Sequence, residues 1–188
     1  WIAIAWRADG SGHVVDYGYF EVPSDDLGVQ KAILTALRDF KENVVEAGWQ
    51  TRSGEPRLPE QVWVDAGYET DTVYEFIRQQ GADRRFRPCL GRGAGQQYPK
   101  HYNQPKKTGA EVKHIGTGYH ISWVPKDRVF SVEVNADFWK STVHDRLATP
   151  REQPGALVFF HSTNPNEHTT LSKQLSESEK VQEEFRPG

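Results

Sequence analysis

Two aspartates stand where predicted strands end, a position at which side chains often do chemistry. Asp65 closes the apolar stretch 62–65 and is followed by two small residues, and Asp137 lies in the first helical turn after the predicted strand 128–134. Ligands of open α/β sheets bind beyond the carboxyl ends of strands. Two carboxylates there could share Mg²⁺ or Mn²⁺, and a pair of such ions acts on both the attacking and the leaving oxygen of a phosphodiester. The spacing thus predicts a metal site, with a turn or helix N-cap as the structural alternative for each residue.

Two further residues could belong to such a site. Asp16 lies in a local context, Val-Asp-Tyr-Gly, that resembles the surroundings of Asp65, and a strand-end or edge position is its structural alternative. Lys140 follows Asp137 by about one helical turn and could orient that carboxylate or contact a phosphate. A surface ion pair explains Lys140 equally well.

Positive charge is concentrated in one segment of a chain whose net charge is −3. Residues 84–114 carry a net charge of +7, and the remainder carries −10. The basic residues of this segment are Arg84, Arg85, Arg87, Arg92, Lys100, Lys106, Lys107 and Lys113. A basic stretch on an acidic body attracts polyanions, of which nucleic acid is the usual one. A solvated loop that maintains solubility is the alternative, and charge alone does not separate the two.

Several classes of protein are disfavoured by what the sequence lacks. The single cysteine, Cys89, excludes an internal disulfide and a cysteine-cluster metal site. No apolar run approaches the roughly 20 residues that span a bilayer. The G-x-x-x-x-G-K-S/T phosphate loop, the G-x-S-x-G nucleophile motif and the H-E-x-x-H zinc motif do not occur. His114 and His120 are therefore predicted to be structural or solvated.

The periodicity of apolar residues predicts a single mixed α/β domain over residues 1–188. The expected strands are 1–8, 13–22, 62–65, 86–90, 119–124, 128–134 and 156–160. The expected helices start at Val29 and end before Gly48, and then cover 69–80, 135–149 and 171–185. The segment 91–118, rich in glycine, is predicted to be a basic irregular insertion. A leading hairpin followed by β-α units suits a ribonuclease-H-like fold, among other possibilities.

Four short blocks, in the right order over most of the chain, resemble one protein family. Residues 62–76 (VWVDAGYETDTVYEF) look like the D-x-G and V-Y-x-F block of phage terminase large subunits of the lambda gpA-like kind. Residues 134–147, which contain VNADFWK and an Arg-Leu pair, are similar to that family's W-K and R-L block. Residues 154–157 (PGAL) resemble its P-G strand, and 174–176 (QLS) resemble its Q-L helix. The segment 91–118 matches no part of the pattern.

The resemblance implies a C-terminal nuclease domain with a ribonuclease-H-like fold that cuts concatemeric viral DNA during genome packaging. It implies two divalent ions, Mg²⁺ or Mn²⁺, with Asp65 and Asp137 as the second and third acids of the site. Glu69 and Asp71 are weaker candidates. The expected partners are double-stranded DNA and the terminase ATPase domain, small subunit and portal, with no membrane and a place in the host cytoplasm. Basic residues of 84–113 and Lys140 would hold the DNA backbone, which gives affinity without sequence choice.

The sequence departs from the family pattern at its start. The family's first acid lies in a D-V-Q-like motif on the strand before the one that begins at Trp1, and this sequence lacks that strand. Either the acid lies upstream or the chain has lost it, and the chain as given is expected to be inactive or weakly active.

Three other functions compete with a terminase-type nuclease. A degenerate, non-catalytic ribonuclease-H-like module would bind DNA or a packaging partner, and the missing first acid favours it. A resolvase or transposase core would give structure-specific or end-specific DNA products. A purely structural α/β domain would show no salt-sensitive DNA binding.

Overall fold

The computed structural model of the chain describes residues 1–22, 26, 28–93 and 112–184. These residues fall into two compact units. The terminal unit combines Trp1–Gly18 with Ala136–Gly188, and the central unit contains Tyr19–Asn135. Each unit has a sheet of its own. A single domain over 1–188, expected from the length of the chain, stays a prediction.

Short strands and four α-helices make up the regular structure of the described residues. The strands are β1 (Ile2–Trp6), β2 (Gly12–Tyr17), β3 (Trp49–Gln50), β4 (Pro56–Arg57), β5 (Val62–Asp65), β6 (Phe86–Arg92), β7 (Val112–Gly116), β8 (Tyr119–Val124), β9 (Val129–Asn135) and β10 (Leu157–Phe159). The α-helices are α1 (Val29–Phe40), α2 (Thr70–Gln79), α3 (Ala136–Ala148) and α4 (Thr169–Glu184). None of the helices described has the length and apolar character needed to cross a membrane.

The central unit is built on a five-stranded mixed sheet in the order β5-β6-β9-β8-β7. β5, β6 and β9 are parallel, and β9, β8 and β7 pair antiparallel. Val62 and Phe86 are paired across β5 and β6 and form a buried cluster with Phe76 of α2 and with Val45. Successive side chains of a strand point to opposite faces of the sheet, and the apolar face formed by this cluster packs against α2 and fixes its position.

α1 and α2 run side by side in the same direction. Near their starts Gln30 Nε2 donates to Glu69 Oε2 (3.3 Å), and near their ends Arg38 Nη2 donates to Gln79 Oε1 (2.8 Å). α1 then continues into a π-helical segment, Lys41–Val45, that brings Val45 into the core. Because α2 follows β5 directly, the first turns of both helices lie toward the carboxyl ends of the parallel strands.

The terminal unit has a three-stranded sheet in the order β1-β2-β10, in which β1 pairs antiparallel and β10 parallel to β2. Gly12, the first residue of β2, packs closely against Trp6 and Leu157. A Cβ at this position would lie 2.7 Å from the Trp6 ring and 2.9 Å from the Leu157 side chain, so a larger residue would not fit without a shift. Arg146 of α3 donates from Nη1 to the carbonyls of Gly10 and Gly155, and its guanidinium lies 5.3 Å from the Trp6 ring centroid. This one side chain ties α3 to the β1–β2 turn and to the loop before β10.

The predicted class, α/β with a ribonuclease-H-like mixed sheet flanked by helices, is confirmed. The predicted strands and helices all occur in the expected order, with boundaries that shift by a few residues. The largest shift is in β2, which ends at Tyr17, the partner of Ile2, rather than at residue 22.

Two segments expected to lack strands contain them. The loop 50–60 carries β3 and β4, a pair of two-residue strands. In the segment 91–118, β6 extends to Arg92 and β7 pairs antiparallel with β8, while residues 94–111 lie outside the described part. The expectation of irregularity was wrong for β7 because its glycines form the hairpin turn. Gly118 adopts a φ of 70°, which glycine takes without strain, and its carbonyl accepts the N–H of Asn135 (2.7 Å).

Candidate functional site

The carboxyl ends of β5, β6 and β9 form the edge of the central sheet at which Asp65 lies. Asp65 is in register with Cys89 of β6, which is in register with Val132 of β9. β6 and β9 continue beyond that row and end with the pair Arg92 and Asn135. This edge, called the carboxyl edge below, is where ligands of parallel sheets bind.

Asp65 is exposed, and a tight turn orients its carboxylate. The N–H of Ala66 still bonds to the Cys89 carbonyl (2.8 Å), so the backbone keeps its strand direction for one residue. The N–H of Gly67 then donates to Asp65 Oδ1 (2.9 Å). The turn role foreseen as the alternative for Asp65 is therefore real, and it engages Oδ1. It does not exclude a ligand role, because a cation could be bound through Oδ2.

Gly67 fits this turn because it has no side chain. A Cβ on Gly67 would lie 3.2 Å from Asp65 Oδ1, closer than ordinary van der Waals contact. On the far side of the turn, Thr70 Oγ1 donates to the carbonyl of Ala66 (2.7 Å), and Ala66 itself is fully buried. The segment 65–70 is thus bonded at both ends, which fixes the orientation of the Asp65 carboxylate.

Glu69 and Asp71, the weaker ligand candidates, lie at the start of α2. Glu69 adopts the left-handed conformation (φ 47°, ψ 49°), which is uncommon for a residue with a side chain, and its carboxylate accepts a bond from Gln30. Its carbonyl accepts the N–H groups of Thr72 and Val73. Asp71 is exposed in the first turn, where a negative charge is favourable to the helix dipole. Both residues therefore have structural roles.

Asp137 belongs to the terminal unit and lies in the first turn of α3, as the sequence predicts. α3 begins at Ala136, directly after the last residue of β9, so no loop separates strand and helix. Asp137 is half-buried, and Lys140, one turn later, is exposed. Asp16, also in this unit, accepts the N–H of Tyr17 on its Oδ1 (2.9 Å) and lies one residue before the end of β2, which is the strand-end position given as its alternative.

The donor chemistry of Asp65 and Asp137 fits a hard divalent cation. Carboxylate oxygens are the protein ligands that Mg²⁺ prefers, and Mg²⁺ commonly takes one or two carboxylates together with waters and substrate phosphates. In the described part of the chain, no group of three or more histidines, cysteines, aspartates or glutamates is arranged to hold a metal ion.

Cys89 lies beside Asp65 and is not a nucleophile at neutral pH. Burial raises the pKa of the Cys89 thiol to about 11, and the negative charge of Asp65 adds to the effect. The thiolate, which is the reactive form, is therefore scarce.

Three of the arginines proposed to bind DNA are engaged within the protein. Arg85 makes a two-point ion pair with Asp83 (Nη2 to Oδ2 2.6 Å, Nε to Oδ1 3.0 Å), which lowers the pKa of Asp83. Arg87 is 8% exposed and its Nε donates to Gln61 (3.2 Å), and burial lowers the pKa of its guanidinium. The third, Arg92, is described with Glu133 below. The DNA role of these three arginines stays a prediction, and Arg87 is the most buried of them.

The other basic candidates differ in position. Arg84 is exposed but precedes β6, at the opposite edge of the sheet from Asp65. The neighbouring Arg85 is four residues before Cys89, which corresponds to about 13 Å along the strand at ~3.3 Å per residue. Three lysines, Lys100, Lys106 and Lys107, lie outside the described residues, and of Lys113 only the place in β7 is described.

Sequence reasoning missed two residues near the carboxyl edge, Glu133 and Tyr68. Glu133 of β9 accepts a bond from Arg92 Nε (3.4 Å). The sequence pattern that could have drawn attention to Glu133 is the alternation of Ser131, Glu133 and Asn135 with apolar neighbours. Such an alternation normally predicts that the polar residues face the solvent. The structure instead buries Ser131, which is 1% exposed, because α2 covers that face. Tyr68 is 71% exposed in the turn after Asp65.

Comparison with known proteins gives one match. The family model described as "Terminase large subunit gpA, endonuclease domain" matches residues 1–184. Neither a curated protein nor a solved structure matches the chain significantly.

Proposed function

The chain belongs to the terminase large subunit gpA endonuclease domain family, and from this premise we propose that it hydrolyses phosphodiester bonds of duplex DNA with Mg²⁺ or Mn²⁺ as cofactor. The observation that carries the proposal is the family match over residues 1–184, almost the whole chain. A carboxylate exposed at the carboxyl edge of a parallel sheet supports it. The substrate would be viral DNA during packaging, and the terminase ATPase domain, small subunit and portal would be the partners.

Asp65 and Asp137 are the proposed metal ligands, with two ions expected. Bound there, the ions would polarise the scissile phosphodiester and lower the pKa of the attacking water. The residues of the chain would position these ions. The Gly67 N–H holds Asp65 Oδ1 in place, and α3 holds Asp137 in its first turn.

The exposed basic residues Arg84 and Lys140, and the lysines of the segment 84–114, are proposed to contact the DNA backbone. Such contacts neutralise phosphate charge and give affinity that does not depend on sequence. They leave the choice of cut site to other parts of the packaging machinery.

The test is cleavage of supercoiled plasmid with Mg²⁺ or Mn²⁺, with an EDTA control. The variants are Asp65→Ala, Asp137→Ala and Asp39→Asn, the last being an exposed acid near the end of α1. In a form that contains all the acids of the site, we expect metal-dependent nicking and linearisation that both alanine variants lose and Asp39→Asn keeps. The same assay is run on a form extended upstream of Trp1, which tests whether the family's first acid lies there or is lost.

The outcomes separate the candidate functions. Cleavage by either form that survives Asp65→Ala and Asp137→Ala would remove these residues from the site. DNA binding with no cleavage in either form would replace the nuclease with a binding module. Products confined to branched DNA or DNA ends would indicate a resolvase-like or transposase-like activity instead.

A further inference from the structure

Tyr68 combines high exposure with a rigid position. Its side chain is 71% exposed, and it is three residues from Asp65. Exposed tyrosines are common on protein surfaces, so exposure alone carries no argument. What distinguishes Tyr68 is that the residues on both sides of it are held in place.

The backbone before Tyr68 is fixed by the Gly67 N–H bond to Asp65 Oδ1. The backbone after it is fixed at Glu69, whose carbonyl accepts two N–H groups of α2 and whose carboxylate is bonded to Gln30. Thr70 closes the segment by donating to the Ala66 carbonyl. The phenol ring is therefore presented from a short, bonded turn, and little backbone conformational entropy remains to be lost when it makes a contact.

An aromatic ring presented in this way suits a nucleobase. Every base has a π-face, and stacking on an aromatic side chain contributes affinity without reading sequence. Bases of an intact duplex are already stacked on one another, whereas an unpaired base offers its face. The carboxylate three residues away is the proposed ligand for the metal that acts on a phosphate, so a ring here would meet a nucleotide next to that phosphate.

We propose that Tyr68 stacks on an unpaired base adjacent to the phosphate handled at Asp65, and so gives the protein a preference for DNA with a locally opened duplex. This inference rests on the nuclease function proposed above. The preference belongs to the ring and does not need the hydroxyl. Tyr68 is accordingly a specificity-determining residue that contacts the substrate.

The chain offers a matched control in Tyr19. Tyr19 is also highly exposed, at 82%, and it belongs to the same unit. Its neighbour Phe20 packs on Phe40 (ring centroids 6.1 Å apart) at the last residue of α1, the opposite end of the helix from Gln30. Removing the Tyr19 ring therefore changes an exposed tyrosine away from the carboxyl edge.

The experiment measures dissociation constants for two labelled duplexes of equal length, one fully paired and one with a short central mismatch bubble. Binding is measured in Ca²⁺, a hard cation that takes the same oxygen ligands, and in EDTA. The proteins are the wild type, Tyr68→Ala, Tyr68→Phe and Tyr19→Ala. We expect the wild type to prefer the bubble, Tyr68→Ala to weaken bubble binding by about 5- to 100-fold, and the other two variants to retain the preference.

Equal affinity of the wild type for both duplexes, or a preference that survives Tyr68→Ala, overturns the inference. An equal loss in Tyr68→Phe and Tyr68→Ala also overturns it, since the hydroxyl would then be the contact. Plasmid cleavage in Mg²⁺ is measured on the same preparations. A Tyr68-dependent preference without cleavage rejects only the proposed nuclease function, and cleavage without that preference rejects only the role of Tyr68.

Discussion

The connections that carry the two proposed metal ligands are built differently. Asp65 lies in a turn between β5 and α2, where the Gly67 N–H and the Thr70 hydroxyl close a network of local hydrogen bonds. Asp137 has no turn around it, because α3 starts immediately after β9 and the boundary between the two compact units falls at that point. The orientation of the Asp65 carboxylate is thus set within six residues, whereas the backbone of Asp137 follows the position of α3.

The orientation of Asp65 thus depends on residues next to it in the sequence, whereas the position of Asp137 depends on contacts made elsewhere along α3. Small changes around Asp65 should act on its carboxylate alone. Changes that reach Asp137 should act through the contacts that hold α3, of which the Arg146 contacts to Gly10, Gly155 and Trp6 are the most extensive described.

The largest expected effect is the loss of cleavage in Asp65→Asn. The amide oxygen can still accept the Gly67 N–H, so the turn survives, but the charge that binds a cation is gone. We expect cleavage to fall by roughly 10³-fold, since metal assistance provides several kcal/mol of transition-state stabilisation. The free energy of unfolding should stay within about 0.5 kcal/mol of the wild type. Initial cleavage rates and urea unfolding measure the two effects, and a stable variant that cleaves normally would contradict the ligand role.

Arg146→Ala tests whether the contacts that hold α3 affect Asp137. The substitution removes charged hydrogen bonds to the Gly10 and Gly155 carbonyls and the stacking on Trp6, so we expect a loss of about 2–3 kcal/mol in the free energy of unfolding. Urea denaturation measures this loss, and cleavage should fall as well because α3 carries Asp137. Arg151→Ala, an exposed arginine in the loop after α3, is the control and should be neutral. An unchanged unfolding midpoint in Arg146→Ala would show that α3 is held by other contacts.

Gly67→Ala adds one methyl group and tests whether the turn around Asp65 sets the orientation of its carboxylate. Its Cβ would meet Asp65 Oδ1 at 3.2 Å, so the carboxylate must shift by a few tenths of an ångström. We expect cleavage to fall about tenfold, because small displacements of catalytic groups are costly. Thermal stability should change little, since this residue is exposed. Asp39→Asn, an exposed position near the end of α1, serves as the control. Wild-type rates in Gly67→Ala would mean that the turn tolerates the shift.

The smallest effect concerns the reactivity of Cys89. Its raised pKa, about 11, means that alkylation by iodoacetamide should be slow at pH 8 and should accelerate as the pH rises toward that value. Burial is the main cause and the charge of Asp65 the second, so Asp65→Asn should lower this pKa and speed alkylation by about two- to threefold. The rate is measured by mass spectrometry, with Asp39→Asn as the control. Identical rates in the two variants would deny the coupling between Asp65 and Cys89.

The elements that support the site could be predicted from the sequence because their patterns are strong. β5 is a run of apolar residues closed by Asp65, and α2 has apolar residues at helical spacing with Gly81 after it. β8 and β9 alternate over their full lengths. Each of these signals is local. β5 and α2 bury the apolar residues that the pattern indicates, as Val62 and Phe76 show, whereas β8 buries His120 and Ser122 of its polar face.

What could not be predicted depends on partners distant in the sequence or on too few residues. β3 and β4 have two residues each, and β7 is short and follows a glycine-rich segment. Arg87 can bond to Gln61 because β5 and β6 are paired in the sheet. A count of charges along the sequence does not reveal this contact. The burial of Ser131 could not be predicted, because alternation alone does not show that a helix covers the polar face.

The internal partners of Arg85, Arg87 and Arg92 bear on how DNA binding should respond to salt. Each phosphate that a cationic side chain neutralises releases condensed counterions, and the logarithm of the binding constant falls with the logarithm of salt concentration by about 0.9 for each such contact. Three arginines held by Asp83, Gln61 and Glu133 would release no counterions. The slope should therefore be shallower by about 2.7 than the eight basic residues of the segment would give. DNA binding would then depend less steeply on salt than the charge of the sequence alone suggests, and it would also be weaker at low salt.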